Sequence, residues 1–179
     1  MRVYSELFKP FNFNVGQVLL TQEDFNEKSR YLNIKHTINM LLSHKAIPII
    51  NENDTVATEE IKCGDNDRLS GLVAQLCQAD LLILLTDVDG LLDGDGKIIG
   101  EVLHMTSQIL KLGGKSTCDL GTGGMATKLE AARSAVSAGI DCVIANGREK
   151  NAILRIAACA DDIGTAFHSR SGHAGTGSI

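Results

Sequence analysis

The chain has 179 residues, enough for one domain with a sizeable core, and its 44% hydrophobic and 22% charged residues are ordinary for a globular protein. A net charge of -5 argues against a nucleic-acid-binding surface, and no apolar run is long enough to span a membrane. The five cysteines are isolated and odd in number, which favours reduced thiols in a cytoplasmic protein over a disulfide framework or a zinc site.

The first third of the chain is predicted to alternate between helices and strands. Its expected elements are a helix over residues 3–8, a strand over 15–20, a helix that Thr21 and Asp24 begin and that ends near His44, and a strand over 46–50. The second strand is apolar throughout, as expected when helices cover both faces of a sheet.

The rest of the chain continues the alternation. We expect a helix over about 67–78 capped by Asp65 or Asn66, a strand over 81–85, a hairpin at 93–96, a short helix capped by Thr106, a helix over 126–138 ended by Gly139, a strand over 141–145, a helix over 151–158 and an edge strand over 164–167. This order predicts an α/β fold, a three-layer αβα sandwich with a mainly parallel central sheet. Residues 1–168 are predicted to form the domain and 169–179 a flexible tail.

Amides and carboxylates follow the strand at residues 46–50. They are Asn51, Glu52, Asn53 and Asp54, and later Asp65, Asn66 and Asp67. In open α/β sheets ligands bind just beyond the carboxyl ends of strands, and these side chains suit a small zwitterion. The alternative is a surface loop with Asx-turns and a helix cap.

A glycine-rich segment, residues 120–128 with the sequence LGTGGMATK, leads into a predicted helix. Glycines let backbone amides approach phosphate oxygens, and a helix N-terminus favours negative charge. Lys128 falls in the first helical turn, where a cation opposes the helix dipole unless an anion compensates. The pattern matches neither a P-loop nor a dinucleotide fingerprint, so a flexible linker ahead of a helix remains the alternative.

Four aspartates, at positions 87, 89, 93 and 95, follow the strand at residues 81–85. They fail the EF-hand pattern, because a calcium loop starting at Asp87 has Leu92 where glycine is required. Thr86 and Asp87 lie at a strand end, where a nucleotide or its magnesium would be met. Asp93 and Asp95 are expected to be hairpin turn residues.

Four segments, INEND, GDND, LLTDVDGL and GTGGMATK, occur in this order, and with them residues 15–167 resemble the glutamate 5-kinases of the amino acid kinase superfamily. The resemblance implies transfer of the ATP γ-phosphoryl group to the side-chain carboxylate of L-glutamate, with Mg²⁺, as the first step towards proline. It implies that Asn51, Asp54 and Asn66 bind glutamate and that Asp67 and Lys128 are catalytic. The implied nucleotide-binding residues are Thr86, Asp87, Thr122, Gly123, Gly124, Met125, Ala126, Thr127 and Lys128.

Two segments typical of the family, a V-K-x-G-S strand and a later T-S-G-A segment, are not present in this chain. We therefore expect the N-terminal strands of the domain to be missing and the polypeptide alone to be inactive or barely active. An in-frame V-K-x-G-S strand in the genomic sequence upstream of Met1 would establish truncation.

The resemblance also implies a homo-oligomer and feedback inhibition by proline, with no nucleic acid or membrane as partner. Three alternatives remain open. The first is another kinase of the superfamily, acting on acetylglutamate, aspartate, carbamate or UMP. The second is a non-catalytic module that senses glutamate or proline, and the third is a scaffold.

Overall fold

The computed structural model describes residues 1–53, 65–114, 124–159 and 163–169. The chain divides into two compact units, Met1–Ile61 and Lys62–Ile179. The prediction of one domain over residues 1–168 with a tail from 169 stays a prediction. None of the described helices is long and apolar enough to cross a membrane.

The first unit contains a parallel pair of strands with a helix between them in sequence. Its elements are α1 (Arg2–Phe8), a 3-10 turn (Lys9–Phe11), β1 (Asn14–Leu20), a second 3-10 turn (Gln22–Phe25), α2 (Lys28–Ser43) and β2 (Ala46–Glu52). β1 and β2 pair from Asn14 opposite Ala46 to Leu20 opposite Glu52. α2 packs on β2 and buries Ile34 and Ile38.

The start of α2 differs from the prediction. Thr21 and Asp24 form a capping box on the second 3-10 turn, so they do not begin the long helix. α2 begins only at Lys28, because the Glu27 carboxylate accepts hydrogen bonds from the backbone N–H groups of Ser29 at 2.9 Å and Arg30 at 3.1 Å. Such a side-chain acceptor satisfies N–H groups that have no partner within the helix.

The second unit is built on a four-stranded sheet in the order β3-β5-β6-β4. Its elements are α3 (Asp65–Cys77), β3 (Leu81–Thr86), β4 (Glu101–Val102), α4 (Ser107–Leu112), α5 (Met125–Ser137), β5 (Asp141–Asn146), α6 (Ala152–Ala157) and β6 (Thr165–Phe167). β3 pairs with β5 in parallel, as β4 does with β6, while β5 and β6 are antiparallel. The predicted mainly parallel arrangement is confirmed among the described strands.

Helices cover both faces of this sheet. Cys142 and Ile144 of β5 belong to the same apolar cluster as Leu129 of α5, whereas their neighbours Val143 and Ala145 pack with Ala152 and Ile156 of α6. Successive strand residues point to opposite faces, so an apolar run such as β5 can fill both clusters. The second unit therefore has the helix, sheet, helix layers that the sequence predicted.

Two local predictions in the second unit are confirmed. In the hairpin, the Asp93 N–H donates to the Lys97 carbonyl oxygen at 2.8 Å, and Leu92 bridges to Ile98. The Thr106 hydroxyl caps α4 by accepting from the Ile109 N–H at 3.3 Å.

Two others are wrong. The segment predicted as an edge strand, β6, lies between β5 and β4, because the two-residue strand β4 pairs with its outer side. α3 begins at Asp65, two residues earlier than predicted, so neither Asp65 nor Asn66 precedes that helix as its cap.

Candidate functional site

The helices α3 and α5 lie side by side and run in the same direction. Midway along them, a Cβ added to Gly71 would lie 3.6 Å from the Ala131 carbonyl oxygen, so the two backbones approach closely. Near their carboxyl ends, the Gln75 amide donates to the Ser134 hydroxyl at 2.7 Å. The two N-termini therefore lie together, and each carries the partial positive charge of a helix dipole.

Asp67 and Lys128 form an ion pair at these two N-termini. The Lys128 Nζ lies 3.1 Å from the Asp67 Oδ2, and the side chains are only 12% and 17% exposed. Such shielding from water strengthens the interaction relative to a surface pair.

Thr127 links the same carboxylate to the start of α5. Its hydroxyl oxygen lies 2.7 Å from the Asp67 Oδ2 and 2.8 Å from the Gly124 carbonyl oxygen. A hydroxyl carries one proton, so it donates to one of these acceptors at a time. The Asp67 Oδ2 thus lies within hydrogen-bonding distance of the side chains of two adjacent residues of α5, which fixes its position relative to the helix.

The first turn of α5 suits an anion. Lys128 places a cation there, and Gly124, the N-cap residue, has no side chain with which to accept from the first N–H groups. Asp67, which belongs to the neighbouring helix α3, neutralises part of the positive charge of Lys128. The positive end of a helix dipole and a nearby ammonium are features that bind phosphate in proteins.

The carboxyl ends of β3 and β5 open at the same end of the second unit. Short connections join α3 to β3 and α5 to β5, so each strand returns towards the end at which its helix began. Beyond the strands, the Gly147 N–H donates to the Thr86 carbonyl oxygen at 2.8 Å, and the Thr86 hydroxyl donates to the Asp87 carboxylate at 3.2 Å. Asp87 is exposed.

Asn146, the last residue of β5, is a candidate site residue that the sequence analysis missed. Its Nδ2 donates to the Asp89 Oδ1 at 2.7 Å, and its Oδ1 accepts from the Arg148 N–H at 2.9 Å. The backbone donor fixes which end of the amide is oxygen. The rule that singled out Thr86, a polar residue directly after an apolar strand, also applies to Asn146.

The residues expected to bind glutamate are distributed over the chain. Asn51 is exposed near the end of β2 in the first unit, and Asn66 is exposed in the first turn of α3 in the second. Asp54, Thr122 and Gly123 lie outside the described residues. Met125 and Ala126, at the start of α5, are half-buried.

Across residues 1–53, 65–114, 124–159 and 163–169, no three His, Cys, Asp or Glu side chains cluster closely enough to hold a metal ion. Mg²⁺ commonly binds through one or two carboxylates together with the phosphates of a nucleotide, so it does not need such a cluster.

Cys142 is a core residue without a role in this site. Burial, together with the negative charge of Asp141, raises the pKa of its thiol to about 12. A thiol that stays protonated at neutral pH is a poor nucleophile. Cys77, Cys142 and Cys159 are all free thiols.

Comparison with known proteins identifies the family. The profile of the amino acid kinase family matches residues 1–146. The chain belongs to the amino acid kinase family. Its fold is also similar to that of solved structures. UMP kinase from Ureaplasma parvum aligns over 93% of this chain and 65% of the UMP kinase chain, with a TM-score of 0.60 and 14% sequence identity. N-acetylglutamate synthase from Neisseria gonorrhoeae aligns over 76% of this chain and 31% of its own, with a TM-score of 0.57 and 18% identity.

Within the amino acid kinase family, the chain is similar to glutamate 5-kinases. The glutamate 5-kinase of Shewanella woodyi is 52% identical over 170 residues, which are 92% of this chain and 45% of that protein. The glutamate 5-kinase of Caldanaerobacter subterraneus is 47% identical over 173 residues, which are 93% of this chain and 46% of that protein. The chain thus spans slightly less than half the length of these relatives. The resemblance and the fold class that the sequence predicted are confirmed.

Proposed function

We propose that this chain contributes to an ATP-dependent kinase that phosphorylates the side-chain carboxylate of L-glutamate. The product is γ-glutamyl phosphate, the first intermediate towards proline. The observation that carries the proposal is the Asp67–Lys128 pair at the N-termini of α3 and α5, with Thr127 bound to the same carboxylate. The similarity to glutamate 5-kinases supports glutamate as the acceptor.

In this proposal Lys128 neutralises negative charge on the transferred phosphoryl group. Phosphoryl transfer needs little covalent help from the protein, and positioning and charge neutralisation supply most of the catalysis. Asp67 holds the ammonium in place, and Thr127 holds Asp67. The attacking glutamate carboxylate is already ionised at neutral pH, so no general base is required.

ATP would lie with its phosphates at the start of α5 and its nucleoside near the ends of β3 and β5. Residues 122–128 would approach the phosphates, and Thr86 and Asp87 would contact the nucleotide. Mg²⁺ would arrive on the phosphate oxygens and share the neutralisation of their charge. Asn51, Asp54 and Asn66 would bind glutamate.

We expect a cytoplasmic homo-oligomer that proline inhibits by feedback. These expectations come from the resemblance to glutamate 5-kinases and need their own measurements of oligomeric mass and inhibition.

A panel of acceptors tests the proposed reaction. The protein at its natural length is mixed with MgATP and L-glutamate, L-aspartate, N-acetylglutamate, carbamate or UMP, and ADP release is followed. With hydroxylamine present, glutamate is expected to give γ-glutamyl hydroxamate. Faster ADP release with any other acceptor would assign the protein to a different reaction of the same family, and glutamate binding without ADP release would favour a sensor.

A further inference from the structure

The last residue of β3 and the turn after it, residues 86–91 and hereafter the acidic turn, are tied to the strands beside them. Three hydrogen bonds, each 2.7 or 2.8 Å long, make the connection: Asn146 Nδ2 to Asp89 Oδ1, Gly147 N to Thr86 O, and Leu91 N to Thr165 Oγ1. The turn is therefore held at its beginning, in its middle and at its end.

The three connections differ in what a substitution can change. The bond at Thr86 joins two backbone groups, and Thr165 is fully buried in the sheet, so its loss would disturb the core. The bond in the middle joins the side chains of Asn146 and Asp89, near the surface. Asp89→Ala removes this bond, and Asn146→Ala removes it together with the acceptor of the Arg148 N–H.

The Asn146 side chain is well placed to fix the turn. Its oxygen accepts from the Arg148 N–H, which leaves its NH₂ group directed to the Asp89 carboxylate. Hydrogen bonds to an ionised acceptor are stronger than those between neutral groups. Asp89 lies two residues after Asp87 and three after Thr86 in the same turn.

We propose that Asn146 is a positioning residue for nucleotide binding. By holding Asp89 it keeps the acidic turn in one arrangement, in which Thr86 and Asp87 are presented to the nucleotide before it arrives. A turn that is already ordered loses less conformational freedom on binding. Asn146 itself does not contact the nucleotide. The inference rests on the proposed nucleotide site at the ends of β3 and β5.

Nucleotide affinity is the direct test. MgADP is titrated by calorimetry into the protein at its natural length, and the same is done with Asn146→Ala and with Asp89→Ala. Each substitution removes one partner of the same bond, so each is expected to raise the Kd for MgADP about ten-fold. The double variant should bind no more weakly than Asn146→Ala, because two residues acting through one bond are not additive.

Two further variants separate positioning from general stability. Asp89→Asn keeps a neutral oxygen that can accept from Asn146, so it should weaken the affinity less than Asp89→Ala does. Gln75→Ala removes another amide donor bond of 2.7 Å in the same unit, but at the carboxyl ends of α3 and α5. It should lower the melting temperature about as much as Asn146→Ala while leaving the Kd for MgADP unchanged.

The outcomes distinguish this inference from the proposed function. If the unchanged chain binds MgADP and Asn146→Ala binds it equally well, the positioning role is refuted and the nucleotide site stands. Equal weakening by Gln75→Ala, or multiplied losses in the double variant, would also refute the positioning role. If the unchanged chain does not bind MgADP, the nucleotide site is refuted and the positioning role falls with it.

Discussion

At the scale of single residues, polar side chains in this protein hold helix starts in place by accepting from backbone N–H groups. Asp24 is the example in the first unit. Its Oδ2 accepts from the Thr21 N–H at 2.8 Å, and its Oδ1 accepts from the Arg30 guanidinium at 3.1 Å. Partial burial acts in the opposite direction, but these hydrogen bonds with Thr21 and Arg30 outweigh it and lower the pKa of Asp24.

A lowered pKa makes the stability contributed by Asp24 depend on pH. The Asp24 carboxylate binds a proton more weakly in the folded state than in the unfolded chain, where an aspartate has a pKa of about 3.9. The stabilisation is therefore complete above that value and is lost as the pH falls through the lower pKa of the folded state.

Asp24→Asn is expected to cost about 1 kcal/mol of unfolding free energy at pH 7, the usual value of a helix cap. Urea unfolding monitored by circular dichroism measures it. The difference from the unchanged chain should shrink as the pH is lowered from 5 to about 3. Asp95→Asn, in the exposed hairpin, is the matched control and should show little loss at any pH. A difference for Asp24→Asn that stays constant down to low pH would contradict the account.

The residue scale also marks the limit of what the sequence could predict about the site. Thr86, Asp87 and Lys128 are predicted from their positions at the end of a strand or the start of a helix, whereas the role of Asp67 is implied by the resemblance to glutamate 5-kinases. The bond between Asn146 and Asp89 joins residues 57 positions apart. No local pattern encodes such a pair, because it depends on β3 and β5 lying side by side.

At the scale of elements, the sequence predicted the long and periodic segments well and the short ones less well. β3, β5 and α5 were placed within one residue of their observed bounds. β4 was not predicted, because its two residues are too few to show an alternating pattern. β6 was predicted at the sheet edge because β4, the strand that pairs with its outer side, was not predicted.

The prediction for the start of α2 was wrong for a different physical reason. Thr21 and Asp24 have the sequence of a helix cap and do form one, but the turn that they cap is a 3-10 turn of four residues. A second acceptor, Glu27, lies six residues after Thr21 and begins the α-helix there. Two competing caps within two turns of each other cannot be ranked from residue types alone.

The approach of β6 to β5 depends on Gly164. This glycine has a φ of +75°, and a Cβ on it would overlap the Ile144 carbonyl oxygen and lie 2.8 Å from the Ala145 Cβ. Gly96, in the hairpin, has a similar φ of +79° but open space around its Cα. The two positions share the same backbone conformation and differ in packing.

Alanine at each of these positions should therefore have unequal effects. Gly96→Ala is expected to cost about 1 kcal/mol, from the left-handed backbone alone. Gly164→Ala adds a steric overlap with β5 and is expected to cost at least about 3 kcal/mol. Thermal and urea unfolding of both variants measure the difference. Equal losses would show that β5 and β6 do not approach as closely as described.

At the scale of the whole molecule, membership of the amino acid kinase family rests on a profile match over residues 1–146, which includes residues of both compact units. The Asp67–Lys128 pair belongs to the second unit alone, so its geometry is complete within one body. The function proposed from it is that of a kinase whose central cation is Lys128.

Turnover by Lys128→Ala is the measurement that tests this claim most directly. In the protein at its natural length, γ-glutamyl hydroxamate formation from MgATP and L-glutamate is compared for the unchanged protein, Lys128→Ala and Lys97→Ala, the last removing an exposed lysine of the hairpin. Loss of a group that neutralises transition-state charge should lower kcat for Lys128→Ala about 100- to 1,000-fold, with little change in the KM for glutamate. Lys97→Ala should turn over like the unchanged protein. Turnover by Lys128→Ala equal to that of Lys97→Ala would contradict the account.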